Sequence, residues 1–511
     1  MRITLMIAFA TWRFGDSEFR RRLKNPPSLL NSKTPSSESK YVKSKGKVET
    51  MMKKRLFLAC LVGALAVTAA DVPHVVRQNW PWDAKVIIDV TMPAGTNDVE
   101  ITASFDNGGA HHELVLTDAN GLSRSTYCLT GGVQRFTWDP ASQGYRGALT
   151  SLDVTAKAFT PDERAWLVID VVTGASEFVA LGDEPKDANG KPWQDAQYKT
   201  SKMVFRRIPA GTFTRGYTTD EKNYIKGLDQ ELGATSSSRM LTAAETTLTS
   251  DFYITIYQTT RAQVARIMDV SSSNGYYSQV TPDAGQMFAA GHVCFQRGSN
   301  SVEGINWPLT KFAVTPTSII GRFRARCGNR FWIDLPTCAQ WQRAARPDTK
   351  WLFYDTSSYP GGMSGGEVGD SLDTITNIIA RISFGYQRKY GSAGGVYSPP
   401  STVGALLPNA YGLYDLIGSR QDLLLDQWDS SEAAVASAGV DPVGLADANR
   451  NGRMVNNSFS NYGTISNWSI AFAGSLNSDN PQNSSVENCY RYVIHLNPPQ
   501  SFGGKWVNDA E

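Results

Sequence analysis

Soft-metal and redox chemistry would fall to the cysteines of this chain, and there are six: Cys60, Cys128, Cys294, Cys327, Cys338 and Cys489. Cys60 lies in an apolar run that reads as a cleaved leader, which leaves five, an odd number. Cys327 and Cys338 are the nearest pair, and an exported chain can form disulfides, but spacing alone leaves the connectivity open. The five histidines, His74, His111, His112, His292 and His495, show no metal-ligand spacing with a cysteine or carboxylate. Gly362-Met-Ser-Gly-Gly366 matches a nucleophile elbow in letters only. That motif needs a strand before it and a helix after, whereas a Ser/Tyr/Pro stretch precedes this one and more glycine follows, so a loop is expected. Asp447-Ala-Asn-Arg-Asn-Gly452 begins like a calcium loop, but Ser458 stands where the bidentate glutamate belongs, so a turn is expected. Asn456, Asn467 and Asn483 open glycosylation sequons, which matter only in a host that glycosylates exported proteins.

The element best defined by local rules is Leu335 to Arg346. Thr337 is a good N-cap, and Gln340 stands three residues on, where it can reach back to the cap's amide. Pro336 holds Leu335 extended, Cys338, Trp341, Ala344 and Ala345 share one helical face, and Pro347 ends the helix. By itself this is a short amphipathic helix on a core.

The same stretch resembles the Leu-Pro-Thr-Glu-Ala-Glu-Trp-Glu signature of the formylglycine-generating enzymes, or sulfatase-modifying factors. Four further pieces follow in that family's order: Met203–Phe213, Phe252–Met268, Glu303–Trp307 and Thr402–Asp426. The resemblance implies an α+β domain over 200–497, related to C-type lectins and low in regular structure.

It also implies a test. Family enzymes oxidise a client cysteine with O₂ and copper(I) held by two cysteines, and a soft monovalent ion calls for two thiolates. The stretch matching that position, Met454–Phe459 and then Ser460–Trp468, contains no cysteine, and Cys489 is the only one beyond Cys338. Copper is therefore not expected. The family's calcium segment, Gly-Asn-Val-Trp-Glu-Trp, reads Gly418-Ser-Arg-Gln-Asp-Leu423 here. Two readings stand: a weakened calcium site with Ser419 and Asp422 as ligands, or an Arg420–Asp422 surface pair.

A chain of 511 residues suggests two or three domains, and 41% apolar with 11% aromatic content supports packed ones. A net charge of +2 argues against nucleic acid as the main partner. Residues 1–50, rich in Ser, Lys and Arg, have little to bury and read as a disordered, non-native extension. Lys53-Lys-Arg55, the apolar run Leu56–Ala66 and Ala69-Ala70 make a secretory signal peptide over 51–70, with translation starting at Met51 or Met52 and cleavage after Ala70. No later segment is apolar and long enough to span a membrane. Residues 71–185 alternate in short strands, as at Val99, Ile101, Ala103 and Phe105, which predicts an all-β immunoglobulin-like sandwich. Residues 186–199 read as a linker and 498–511 as a tail.

Together these features predict a secreted, periplasmic or cell-surface protein whose family domain does no catalysis. It would bind a polysaccharide or another exported protein. The alternative is an oxidoreductase that makes formylglycine in sulfatases, or one that performs a related metal-dependent oxidation; iron would need a His/carboxylate cluster, and beyond Trp307 only His495 is on offer.

Overall fold

The structure is a computed structural model. It describes residues 42–43, 70–78, 85–107, 110–114, 116–118, 126–145, 151–231, 241–269, 287, 289, 316–328, 330–347, 350–382, 402–417, 421–427, 439–442, 453–456, 476–479 and 488–496. Residues 51–69 of the expected leader, residues 108–109 and 119–125, the Glu303–Trp307 segment, residues 418–420 and the expected tail lie outside these, whereas Ala70, the last residue of that leader, is described and pairs with Ala158. The chain divides into two compact units, Met1–Thr160 and Pro161–Glu511.

The first unit is strand-rich and antiparallel, as the alternation predicts. Its longer strands are β1 (His74–Gln78), β2 (Val86–Asn107), β3 (Ala110–Glu113), β4 (Thr126–Trp138) and β5 (Ser151–Phe159), and the two-residue strands Val42–Lys43, Ala70–Asp71 and Thr117–Asp118 join the same sheet. The long β2 pairs with β1, β3, β4 and β5, with Ile88 opposite Val76 and Phe136, Phe105 opposite His112, and Ala103 opposite Val154. Its register against β4 shifts between Met92 and Thr96. On either side of that irregularity Val86, Ile88 and Val90, then Val99, Ile101, Ala103 and Phe105, enter one core with Phe136, Trp138, Leu152 and Ala156. Period-2 burial of one face is what binds this sheet to its core.

In the second unit the main sheet runs β7 (Ser176–Val179), β6 (Trp166–Asp170), β8 (Lys202–Ile208), β11 (Phe252–Thr255), β18 (Val493–His495), β12 (Trp332–Asp334), all antiparallel. A smaller sheet joins β9 (Gly211–Arg215), β10 (Ala244–Leu248) and β14 (Gly439–Val440). Another joins β13 (Gln421–Gln427), β15 (Arg453–Asn456), β16 (Leu476–Asp479) and β17 (Asn488–Cys489). The described helices are α1 (Thr219–Glu231), α2 (Arg261–Met268), α3 (Ile319–Arg326), α4 (Cys338–Ala345) and α5 (Leu372–Ile382).

The capping box at Thr337 and Gln340 is present: Gln340 N donates to Thr337 Oγ1 at 3.2 Å and Thr337 N to Gln340 Oε1 at 3.0 Å. Thr260 and Gln263 repeat the motif on α2. Trp341, Ala344 and Ala345 are buried in the largest core of this unit, with Phe213, Leu248, Leu352, Ile375 and Leu424.

Two boundaries differ from the sequence reading. Trp166–Val172 belongs not with the N-terminal strands but with the second unit, where Val168 pairs with Val204. Alternation announces a strand without saying which sheet it joins, and Trp166 to Ile169 are buried on both faces, as an interior strand requires. Nor is 186–199 a linker. Trp193 is only 1% exposed, and its ring meets Trp166 at 5.6 Å and Tyr198 at 4.9 Å. The polar composition belongs to a tight turn: Asp187 Oδ1 accepts from the amides of Asn189 and Lys191.

Candidate functional site

Five elements bring side chains to one buried polar centre. Asp422 comes from β13, Arg491 from the link between β17 and β18, Trp341 from α4, Gln258 from the segment after β11, and Asp415 from the loop before β13. Asp422 is 2% exposed and Arg491 0%. Arg491 Nε and Trp341 Nε1 both donate to Asp422 Oδ2 at 2.9 Å, and Gln258 Nε2 donates to Oδ1 at 3.0 Å. The remaining edges of the guanidinium donate to the backbone carbonyls of Thr255, Ile256 and Tyr414. A buried ion pair holds only when its other hydrogen-bonding capacity is met in this way.

That geometry decides the fit of calcium. Both oxygens of Asp422 already serve N–H donors, one of them cationic, and the side chain is buried rather than at the surface. Calcium seeks oxygens whose charge is not already neutralised, and the arrangement does not fit it. Ser419, the other expected ligand, lies outside the described residues, as does Arg420. Among the described residues no three His, Cys, Asp or Glu side chains cluster as a metal site would need.

Copper does not fit either. Cys489 stands beside Asp422 in the parallel register of β13 and β17, yet it is 0% exposed and its thiol points at the Thr259 carbonyl, 3.5 Å away. Met454 to Asn456 lie in β15, antiparallel to β13, with Asn456 opposite Asp422; the residues from 457 to 475 lie outside the described ones. The stretch matching the family's thiolate position, residues 454–468, contains no cysteine.

Asp415, which lies just before the Gly418–Leu423 segment, is a further buried carboxyl. It is 0% exposed and holds a left-handed backbone, φ 57°. Oδ2 accepts from Gly404 N at 2.7 Å, while Oδ1 has no hydrogen-bond partner. Burial pushes its carboxyl up to about 6, against the Gly404 amide and the charges of Arg491, Lys199 and Lys191, which pull the other way. Lys199, 4% exposed, is pushed down to about 8 by burial and donates to Gln194 Oε1 at 2.9 Å. Tyr257 and Tyr414 stack beside them with ring centroids 4.9 Å apart. Arg491 carries no signal of its own in the sequence. A charge buried there leaves no mark on hydrophobic periodicity.

Residues 189–483 match the family model of the sulfatase-modifying factor enzyme 1-like domain, and the chain belongs to that family. Treponema denticola variable protein 1 is 13% identical over 57% of this chain and 95% of its own, with a TM-score of 0.38. PvdO from Pseudomonas aeruginosa is 17% identical over 57% and 94%, at 0.36, and CarF 13% over 57% and 97%, at 0.31. No curated protein matches the sequence.

Proposed function

We propose that this protein is an exported, non-catalytic member of the sulfatase-modifying factor family. Its family domain binds a polysaccharide or another exported protein at or beyond the cell surface. The observation that carries this is the thiol inventory. The stretch from Met454 to Trp468 has no cysteine, and Cys489, the single thiol beyond Cys338, is enclosed in the core. Copper(I) chemistry on a client cysteine needs two thiolates at the protein surface. The charged Lys53-Lys-Arg55, the apolar run after it and Ala69-Ala70 support export. The alternation in β2, and the one core that both its halves enter, support an immunoglobulin-like sandwich acting as a spacer.

The test is mass spectrometry of a sulfatase-motif cysteine peptide incubated with the full chain, copper(I) and O₂. The expected result is no aldehyde above a no-protein control. Aldehyde formation would favour the second reading, a formylglycine-generating or related metal-dependent oxidoreductase, which family membership keeps in view.

A further inference from the structure

Among the described residues six arginines are buried: Arg164, Arg207, Arg215, Arg324, Arg346 and Arg491. Four face a carboxylate, Arg207 with Asp251, Arg324 with Asp334, Arg346 with Glu221 and Arg491 with Asp422. Arg164 lies over the Phe178 ring at 4.1 Å. Arg215 is the exception. It is 4% exposed, and neither its Nε nor its Nη2 finds an acceptor. These two N–H groups form the side-on edge of the guanidinium, the parallel fork that takes a carboxylate or a phosphate in two hydrogen bonds.

A second guanidinium stands on the same patch. Arg215 ends β9, whose burial alternates so that Phe213 and Arg215 share the buried face, about 7 Å apart along the strand. The helix α4 packs on β9, and its Arg343 lies over the Phe213 ring, 5.6 Å from the centroid. Arg343 Nε is also shielded from solvent and without an acceptor. Glu221, which follows β9 in the chain, is already committed: it accepts from Arg346 on one oxygen and from the Thr218 amide on the other. Water could satisfy these N–H groups but would not neutralise the charge, and a buried charge calls for a counter-charge.

We propose that Arg215 and Arg343 form an oxyanion-binding site between β9 and α4, in which the Nε–Nη2 edge of Arg215 takes a carboxylate or a tetrahedral oxyanion and Arg343 supplies a second positive charge. The site does not depend on the absence of catalysis. It offers the family domain a way to hold an anionic group of a ligand.

The experiment is a thermal-unfolding titration of the full chain with sodium acetate, sulfate or phosphate, each against sodium chloride at equal ionic strength. A saturable rise in Tm above the chloride series is expected for at least one of them. The acetate arm separates a carboxylate ligand from a tetrahedral one. Arg215→Met should abolish the saturable part, and Arg343→Gln should weaken apparent affinity about tenfold or more. Without added anion, Arg215→Met should melt no lower than the parent, since it removes an unpaired buried charge while keeping the stem. Sulfate and phosphate also stabilise proteins by exclusion from their surfaces, and that effect is non-saturable and common to parent and variants. Equal responses in parent and Arg343→Gln would overturn the site even if Arg215→Met failed to fold. So would the absence of any saturable response.

Discussion

Asp422 and Arg491, 69 residues apart in sequence, meet at 2.9 Å with neither side chain open to solvent. The pair links β13 to the segment before β18, and Trp341 ties α4 to it. Removing one partner leaves the other charged and buried. Asp422→Ala should therefore cost about 3–5 kcal/mol, while the paired change Asp422→Leu with Arg491→Met should cost far less than the two single changes together. Urea denaturation of the four proteins gives the coupling. Additive costs would show that the pair does not act as a unit.

Asp415 sets a pH dependence. Burial raises its folded-state value from 3.8 to about 6. Folding then favours the protonated carboxyl, so this group's contribution is full below pH 3.8, is lost as pH rises to about 6, and stays lost above. The loss amounts to about 3 kcal/mol. Asp415→Asn keeps an oxygen for the Gly404 amide and tolerates the left-handed backbone. The variant should match the parent near pH 4 and exceed it at pH 7, by up to about 3 kcal/mol. Denaturation midpoints across pH 4 to 8 check this, and a constant difference would assign the effect to something other than titration.

What the sequence made legible was local. Thr337 and Gln340 specify their own helix start, and Val99 to Phe105 specify a strand, because those rules act over a few residues. The Asp422–Arg491–Trp341–Gln258 centre is assembled from four distant segments, and nothing in any one of them announces a charge buried against the others. Asp187 to Tyr198 misled for a related reason. Turn chemistry is polar whether the turn lies in solvent or carries a Trp193 into the core, so composition alone suggested a linker. The same long-range fact, the arrival of Arg491, is what sets the surroundings of Asp422 apart from the oxygen-only set that calcium seeks.

Proteolysis tests the revised boundary. Thr160, Pro161 and Asp162 are exposed at the junction of the two units, whereas Trp193 and Lys199 are buried. Cleavage needs a stretch of backbone that can leave its hydrogen bonds. Limited digestion should therefore cut near 160–162 before it cuts within 186–199, as read from fragment masses. Early cleavage between Asp187 and Tyr198 would restore the linker.

The thiols supply the last test. Cys327, Cys338 and Cys489 are buried as thiols. Cys327 ends α3, and burial pushes its thiol up to about 12, against the charges of Arg330 and Arg326. Cys338 accepts a hydrogen bond from Gln342 Nε2 at 3.3 Å, and Cys489 is turned toward the Thr259 carbonyl. The thiolate is the reactive form, and a thiol that is buried and held protonated has neither the charge nor the access to react. Native protein treated with iodoacetamide at pH 8 should leave all three unmodified. Unfolding in urea without reductant should expose all three to the reagent, as peptide mass spectrometry would read. A Cys327–Cys338 disulfide would instead keep that pair unlabelled until reductant was added. Rapid labelling of Cys489 in the native state would place a reactive thiol beside Asp422 and reopen the oxidoreductase reading.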